Sequence, residues 1–218
     1  MEKEKNARAY AVVMAGGKGE RFWPQSRLSN PKQLLRLLGN LTLIEQTIER
    51  LSAIFDYSHI IVVTNTNYVA PMRSLLSYLP QENIIGEPEG KDTAPCIANA
   101  AAYIKNTSRV PDPVLCLFPT DHIINDTVSF YDALADSLAV AEDTHHIVTI
   151  GIKPNAPMTG YGYIEVGDKM NFTSKTVFRK VCGFKEKPSL ELSEAYVADG
   201  KHMWNSGIFI LNLSSLLT

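Results

Sequence analysis

Short runs of consecutive apolar residues recur along the chain, and segments with helical periodicity separate them. The first run, residues 10–15 (YAVVMA), ends at two glycines, and residues 60–64 and 114–118 repeat the pattern. A continuous apolar run of this length is typical of a strand that is buried on both faces of a sheet. These three segments therefore predict the central strands of a sheet.

Amphipathic helices are predicted between these strands. Thr42 and Glu45 form a capping-box pattern ahead of an apolar stripe that reaches residue 55, which predicts the first helix. The further elements predicted here are helices over residues 69–79, 93–105 and 130–142 and strands over residues 83–86 and 147–152. Strands that alternate with helices at this spacing indicate an α/β fold with a Rossmann-like, doubly wound, mostly parallel sheet and helices on both faces.

The pattern changes after residue 160. The later part is predicted to form strands over residues 161–166, 177–187 and 204–211 and a helix over residues 190–198. No repeat or low-complexity linker interrupts the chain, so we expect one domain over residues 1–218, built from residues 8–155 and a smaller part, residues 156–218. The apolar end without a polar tail suggests a fragment or a shortened chain.

Composition and charge narrow the class of protein. The 218 residues are 45% hydrophobic and 20% charged, which is typical of a globular protein with a full core. With 21 basic and 23 acidic residues the net charge is −2, so a nucleic acid or an anionic membrane is not expected as a partner. The apolar run 10–15 is too short for a signal peptide or a membrane span. Three cysteines without a C-x-x-C pair favour the reducing cytoplasm.

A glycine-rich loop follows the first predicted strand. Its small residues are Ala15, Gly16, Gly17 and Gly19. This is where an α/β protein binds phosphate, because glycines let backbone N–H groups approach an anion. The loop is not a P-loop, since Gly19 follows Lys18, and a dinucleotide fingerprint fails because Phe22 replaces its third glycine. A simple turn remains the alternative for the loop taken alone.

Cations and prolines continue the pattern after the glycines. Arg21 begins the run RFWPQSR, and Lys32 lies in the later run PKQ. Together with the glycines, these runs resemble the sugar-1-phosphate nucleotidylyltransferases, and among them the mannose-1-phosphate guanylyltransferases; the resemblance continues to the last predicted strand. It implies the nucleotide-diphospho-sugar transferase fold, with residues 156–218 as the sugar side. It also implies Mg²⁺-dependent in-line attack of mannose 1-phosphate on GTP, giving GDP-mannose for polysaccharide biosynthesis and pyrophosphate.

The resemblance assigns roles to residues on the nucleotide side. Arg21 would hold the phosphates that leave as pyrophosphate, and Lys32 would stabilise the charge developing at the α-phosphate. The loop from Ala15 to Gly19 would bind the nucleotide. Glu87, with the backbone of Gly90 and Thr93, would accept hydrogen bonds from guanine. The alternatives without a catalytic or binding role are a solvated loop lysine for Lys32 and a helix N-cap for Thr93.

The metal and the sugar phosphate are assigned to later residues. Asp121 follows the run 114–118, at a strand's carboxyl end, and its hard carboxylate suits Mg²⁺; a turn residue is the alternative. The residues that would bind the sugar phosphate are Gly162, Glu186, Lys187 and Asn205. Each of these four could instead be an ordinary strand end.

Two other functions remain open at the level of sequence. One is a guanylyltransferase for another sugar 1-phosphate, such as a heptose, and the other is a catalytically impaired relative that binds nucleotide or partner proteins. The second is considered because the family usually carries another metal-binding aspartate on a strand beyond the WNSGIF segment, followed by a further domain. A homodimer is left open as the assembly.

Overall fold

The structure, a computed structural model, describes residues 6–17, 19, 22–28, 30–37, 39–89 and 93–216, and these form an eight-stranded sheet with helices on both faces. Its strands are β1 (Ala9–Ala15), β2 (Ile60–Asn65), β3 (Ile84–Glu87), β4 (Val114–Pro119), β5 (Val148–Ile152), β6 (Tyr163–Met170), β7 (Phe178–Lys185) and β8 (His202–Asn212). Its helices are α1 (Leu43–Ser52), α2 (Val69–Leu75), α3 (Thr93–Thr107), α4 (Thr127–Thr144) and α5 (Leu190–Asp199). In this part of the chain no helix is both long and apolar enough to cross a membrane.

The first half of the sheet is parallel, in the order β3-β2-β1-β4. Alternate residues of β1 belong to two separate apolar clusters, one on each face of the sheet. Helices α1, α2 and α4 cover the face of Val13, and α3 covers the face of Val12. The expectation of a doubly wound sheet is therefore confirmed, and it explains why β1 has no polar residue.

β8 joins the second half of the sheet to the first. It pairs antiparallel with β4, β5 and β6, and β6 pairs antiparallel with β7. Six strands consequently share one direction, and β7 and β8 run against them. β5 points the same way as β4 but pairs with β8 rather than with a parallel neighbour, because β8 occupies the free edge of β4.

The pairing of β8 opens a gap in the sheet. Phe209 pairs with β4 on one side and β5 on the other, whereas Trp204 pairs with β5 and β6. β4 and β6 must therefore lie along the same edge of β8, one at each end. Between them β8 carries a bulge, where residues 206–208 oppose Ile150 alone. The bulge is the place where the edge of β8 has neither β4 nor β6 beside it.

Most predicted elements are confirmed within a few residues, and the differences have local causes. The capping box of Thr42 and Glu45 is present at the start of α1. α2 ends at Leu75 instead of residue 79, because Leu76 leaves the helical region and both Leu76 and Leu79 turn into the core. β7 ends before Glu186, so the last two residues of the predicted strand lie in the following turn.

Candidate active site

A cleft of about 990 Å³ opens where the parallel strands end. Gly16 follows β1, Asn65 ends β2, Glu87 ends β3 and Asp121 follows β4, and all four line the cleft. Asn205 of β8 closes the side at the bulge. Open α/β sheets bind ligands at this edge, since the loops that leave adjacent strands diverge there. The cleft is therefore the candidate active site.

Lys32 lies across the glycine loop. It begins a short 3₁₀ turn, Lys32–Leu34, and its aliphatic stem fills the space beside two glycines. A Cβ on Gly19 would lie 2.6 Å from the Lys32 Cβ, and one on Gly17 would lie 3.3 Å from the Lys32 Cε. Gly19 also has a φ of +69°, which side-chain-bearing residues adopt at a cost. Gly19 is thus required by the path of the lysine as well as by its own backbone, and Gly17 leaves room for the end of the lysine stem.

The Lys32 ammonium pairs with the Asp121 carboxylate. Nζ donates to Oδ2 at 2.6 Å, and the two side chains are 17% and 23% exposed. Burial raises the pKa of Asp121, but the hydrogen bond and charge of Lys32, with a smaller contribution from His122, hold it below its ordinary value. Asp121 is therefore ionised at neutral pH, in a position to bind a cation.

Glu87 is a buried carboxylate at the opposite wall of the cleft. The residue is 5% exposed, and burial raises the pKa of its carboxyl. A Cβ on Gly16 would lie 3.1 Å from Glu87 Oε2, so the loop passes closely over this group. Burial, and secondarily the charge of Glu87, raises the pKa of the neighbouring Cys96 to about 12. Cys96 is therefore a protonated thiol at neutral pH rather than a nucleophile.

The bulge of β8 holds Asn205 at the cleft. Its backbone N–H donates to the Gly162 carbonyl at 2.8 Å, and its Oδ1 accepts from the Gly207 N–H at 2.9 Å. A Cβ on Gly162 would lie 2.8 Å from Glu186 Oε1, so the end of the Glu186 side chain lies against this glycine. Asn205 thereby links the cleft to the turn that carries Glu186.

The structure brings most of the predicted site residues together. Those that line the cleft are Gly16, Gly17, Gly19, Lys32, Glu87, Thr93, Asp121 and Asn205. Ala15 lies beneath the loop with a fully buried side chain. Gly162, Glu186 and Lys187 are not among the residues that line the cleft, and the side chains of Glu186 and Lys187 are exposed. Arg21 and Gly90 lie outside the described residues.

Three residues at the end of β2 were missed by the sequence reasoning. Asn65, Asn67 and Tyr68 line the cleft next to the glycine loop. The Asn67 N–H donates to Asn65 Oδ1 at 3.0 Å, and the Tyr68 hydroxyl donates to the Leu28 carbonyl at 2.9 Å. Their position directly after the apolar run 60–64 could have identified them, because Asp121 was predicted from its position after the run 114–118.

The donor set of the cleft is compatible with Mg²⁺. Within the described ranges no group of three or more His, Cys, Asp or Glu side chains is arranged to hold a metal, and Asp121 supplies one ionised carboxylate. Mg²⁺ commonly binds one or two carboxylates and completes its shell with water and substrate phosphates. A single aspartate at the edge of a cleft of this size is consistent with that coordination.

Known proteins resemble this chain over most of its length. A family model described as nucleotidyl transferase matches residues 10–217. The mannose-1-phosphate guanylyltransferase of Escherichia coli (strain K12) is 41% identical over 213 residues, which are 97% of this chain and 44% of the relative. The xanthan biosynthesis protein XanB of Xanthomonas campestris pv. campestris (strain B100) is 38% identical over 208 residues, covering 94% of this chain and 42% of XanB. The chain thus spans less than half the length of these curated relatives.

Solved structures share the fold. A crystal structure described as mannose-1-phosphate geranyltransferase from Thermus thermophilus superposes with a TM-score of 0.85 at 31% identity, covering 96% of this chain and 58% of that one. A mannose-6-phosphate isomerase from Helicobacter pylori gives a TM-score of 0.74 at 23% identity, covering 96% and 72%. At the second identity the likeness concerns the fold alone.

Proposed function

This chain belongs to the nucleotidyl transferase family, and we propose that it transfers GMP from GTP to mannose 1-phosphate, giving GDP-mannose and pyrophosphate. The relatives named as guanylyltransferases support the choice of substrates. The observation that carries the proposal is the pairing of Lys32 with Asp121, at 2.6 Å, in a cleft that the glycine loop borders. This arrangement offers a fixed cation and a carboxylate where phosphates would lie.

The chemistry requires no nucleophile from the protein. An oxygen of mannose 1-phosphate attacks the α-phosphorus of GTP, a new P–O bond forms, and the bond to the β-phosphate oxygen breaks as pyrophosphate leaves. The protein must align the two phosphates and stabilise the charge that develops between them. We assign the α-phosphate to Lys32, the leaving phosphates to Arg21, and the remaining phosphate contacts to backbone N–H groups of the loop.

We assign a divalent cation, Mg²⁺, to Asp121. When bound there, the ion would supply Lewis-acid stabilisation of the phosphate oxygens. The contribution of the chain is a carboxylate whose pKa lies below its ordinary value, so it is ionised over the neutral range.

We assign the base to the cleft at the end of β3, and the sugar to Asn205 and the exposed residues beyond the cleft. Glu87, with the backbone of Gly90 and Thr93, would read guanine, and residues 8–155 would form the nucleotide half. The sugar phosphate would contact residues of the later half, 156–218, at Gly162, Glu186, Lys187 and Asn205. Glu186 can accept hydrogen bonds from sugar hydroxyls, and Lys187 can bind the phosphate of the sugar.

The cysteines and the relatives also support a location and a biological process. We propose a cytoplasmic location, because Cys96, Cys116 and Cys182 are all free thiols. GDP-mannose made there would serve polysaccharide biosynthesis, and the name of XanB states xanthan biosynthesis for that relative. A homodimer stays a prediction, which light scattering on the purified chain would test.

Pyrophosphate release tests the proposed activity. The chain is incubated with mannose 1-phosphate, GTP and Mg²⁺, with ATP, UTP, glucose 1-phosphate and a heptose 1-phosphate as alternative substrates. We expect turnover with GTP and mannose 1-phosphate above every other pair. Faster turnover with the heptose would redirect the sugar assignment, and GTP binding without turnover on any pair would leave a nucleotide-binding relative.

A further inference from the structure

Gln33 makes an unusual buried contact next to the candidate catalytic lysine. Its side chain is fully buried, and its amide Nε2 donates to the Ala15 carbonyl at 2.6 Å. Ala15 is the last residue of β1, and the hydroxyl of buried Thr64 on β2 donates to the same oxygen at 3.1 Å. Two fully buried donors, one from the sheet and one from the loop that carries Lys32, thus converge on one acceptor.

The other end of the Gln33 amide argues against a role in stability alone. Oε1 is buried and has no hydrogen-bond partner among the described residues. A buried acceptor without a partner costs free energy, which offsets what the Nε2 bond contributes. The Ala15 carbonyl would keep the Thr64 hydroxyl if the amide were removed. An apolar side chain of the same length at position 33 would therefore be expected to fold about as well.

The position of the Gln33 amide in the chain favours a role in holding the turn that carries Lys32. Gln33 is the middle residue of the turn Lys32–Leu34, which is closed by the Leu34 N–H on Pro31 at 2.9 Å and the Leu35 N–H on Lys32 at 3.0 Å. The amide fastens this turn to the end of β1. Lys32 then crosses the glycine loop and reaches Asp121, beyond the end of β4.

We infer that Gln33 is a positioning residue that fixes the backbone of Lys32, and so the place of its ammonium between the ends of β1 and β4. The inference rests on the proposed function, since it concerns the lysine assigned to the α-phosphate. A lysine side chain has four rotatable bonds, so its ammonium is placed accurately only if its backbone is fixed and its stem is confined. Gln33 supplies the first condition, and Gly17 and Gly19 leave room for the second.

A matched pair of variants tests the positioning role. Gln33→Met and Thr64→Val each remove one donor to the Ala15 carbonyl and nearly conserve volume, but only Gln33 belongs to the turn of Lys32. We expect Gln33→Met to lower kcat by about 10- to 100-fold, with KM for GTP and mannose 1-phosphate changed much less. Thr64→Val should keep kcat within about threefold of the wild type. An equal loss of kcat in both variants, or none in Gln33→Met, would overturn the inference.

Amide hydrogen exchange gives a readout that does not need turnover. The amides of Leu34 and Leu35 should exchange faster in Gln33→Met than in the wild type. In Thr64→Val their exchange rates should equal those of the wild type. Unchanged exchange in Gln33→Met overturns the positioning role even if the chain turns out not to be a transferase. Absence of turnover in the wild type, with the expected exchange, overturns the proposed function and leaves the anchoring of the turn standing.

A double variant separates action through Lys32 from a general effect. In the background of Lys32→Met, adding Gln33→Met should lower the residual kcat by less than about twofold, because the group that it positions is already gone. A full further loss would show that Gln33 acts elsewhere and would overturn the inference. Should Gln33→Met fail to fold, Gln33→Leu removes the same donor with a shorter apolar side chain and enters the same comparisons.

Discussion

The ammonium of Lys32 and the carboxylate of Asp121 occupy a position where neither is stable alone. Both side chains are about one-fifth exposed, so water screens their charges only in part and each needs its partner. A substrate phosphate would offer Lys32 a second partner, and a cation would offer one to Asp121. The pair therefore places a positive charge that can bind a phosphate next to a negative charge that can bind a cation.

Replacing the lysine tests this arrangement. We expect Lys32→Met to lower turnover by at least about 100-fold, because the charge that develops at the α-phosphate loses its fixed cation. The melting temperature should fall by a few degrees, since Asp121 loses its partner. Lys175→Met is the control: it breaks the ion pair with Asp132, at 3.6 Å, in which Lys175 is 83% exposed. Pyrophosphate release and thermal melts measure both effects, and equal turnover in the two variants would contradict the role of Lys32.

Candidate site residues were predicted from a strand end, as for Asp121, or from a recognisable run, as for Lys32. Lys32 and Asp121 stand in recognisable runs, and the structure brings them to within 2.6 Å of each other. Asn65 and Tyr68 obey the same rule at the end of β2 but lack such a run. Gln33 was out of reach, because glutamine is usually exposed and its burial depends on how the loop folds back onto β1.

At the scale of elements, the positions of the strands along the chain were predictable, but the strands with which they pair were not. Apolar runs locate strands because burial on both faces excludes polar residues. Pairing depends on which edge is free once the whole chain has folded, and for this reason the antiparallel place of β5 on β8 was not foreseen. The bulge of β8 was equally hidden, since Ser206 and Gly207 are compatible with an ordinary strand end. Its polar groups are satisfied only in three dimensions, as when the Ser206 hydroxyl donates to the Ile150 carbonyl at 2.6 Å.

Two glycines allow the effect of backbone strain to be measured separately from the effect of the bulge on the shape of the cleft. Gly207 has a φ of +70°, and a Cβ there would lie 3.3 Å from Pro119 Cγ; Gly200, at the end of α5, has a φ of +64° and no atom within 4 Å of a Cβ. We expect Gly200→Ala to cost about 1 kcal/mol of unfolding free energy from strain alone. Gly207→Ala should cost more and should also lower turnover, because Pro119 and Gly207 both line the cleft.

Denaturant unfolding and pyrophosphate release measure these two quantities. Gly200→Ala should leave turnover unchanged, since it lies outside the described lining of the cleft. Equal unfolding free energies and equal turnover in the two variants would contradict a role of the bulge in shaping the site.

At the scale of the whole molecule, one carboxylate ties distant parts of the chain together. Asp112, just before β4, accepts from the Ser214 N–H at 2.9 Å and the Ser214 hydroxyl at 2.8 Å. Asn212 donates to it at 3.4 Å, and His145 at the end of α4 lies 3.8 Å away. Burial raises the pKa of Asp112, but these hydrogen bonds and the nearby histidine together hold it below its ordinary value of 3.8.

This tie predicts a pH dependence of stability. Because the folded-state pKa of Asp112 is lowered, its contribution is fully present above the unfolded-state pKa and is lost as the pH falls through the lower, folded-state value. Asp112→Asn should therefore be less stable than the wild type at pH 7, by about 1 kcal/mol or less given its partial exposure. The difference should shrink progressively below about pH 4. Unfolding curves of both proteins at several pH values test this, and a constant difference down to pH 2 would contradict it.

The place of β8 in the sheet has a consequence for the synthesis of the protein. β8 is the last of the described strands in chain order, yet β4, β5 and β6 all pair with it. During synthesis on the ribosome, the backbone groups at the edges of these three strands stay unpaired until β8 has been translated. A nascent chain stalled before residue 202 would expose them to aggregation or to chaperones. Release of residues 202–212 from the exit tunnel would then be the step at which the nascent chain becomes resistant to proteases.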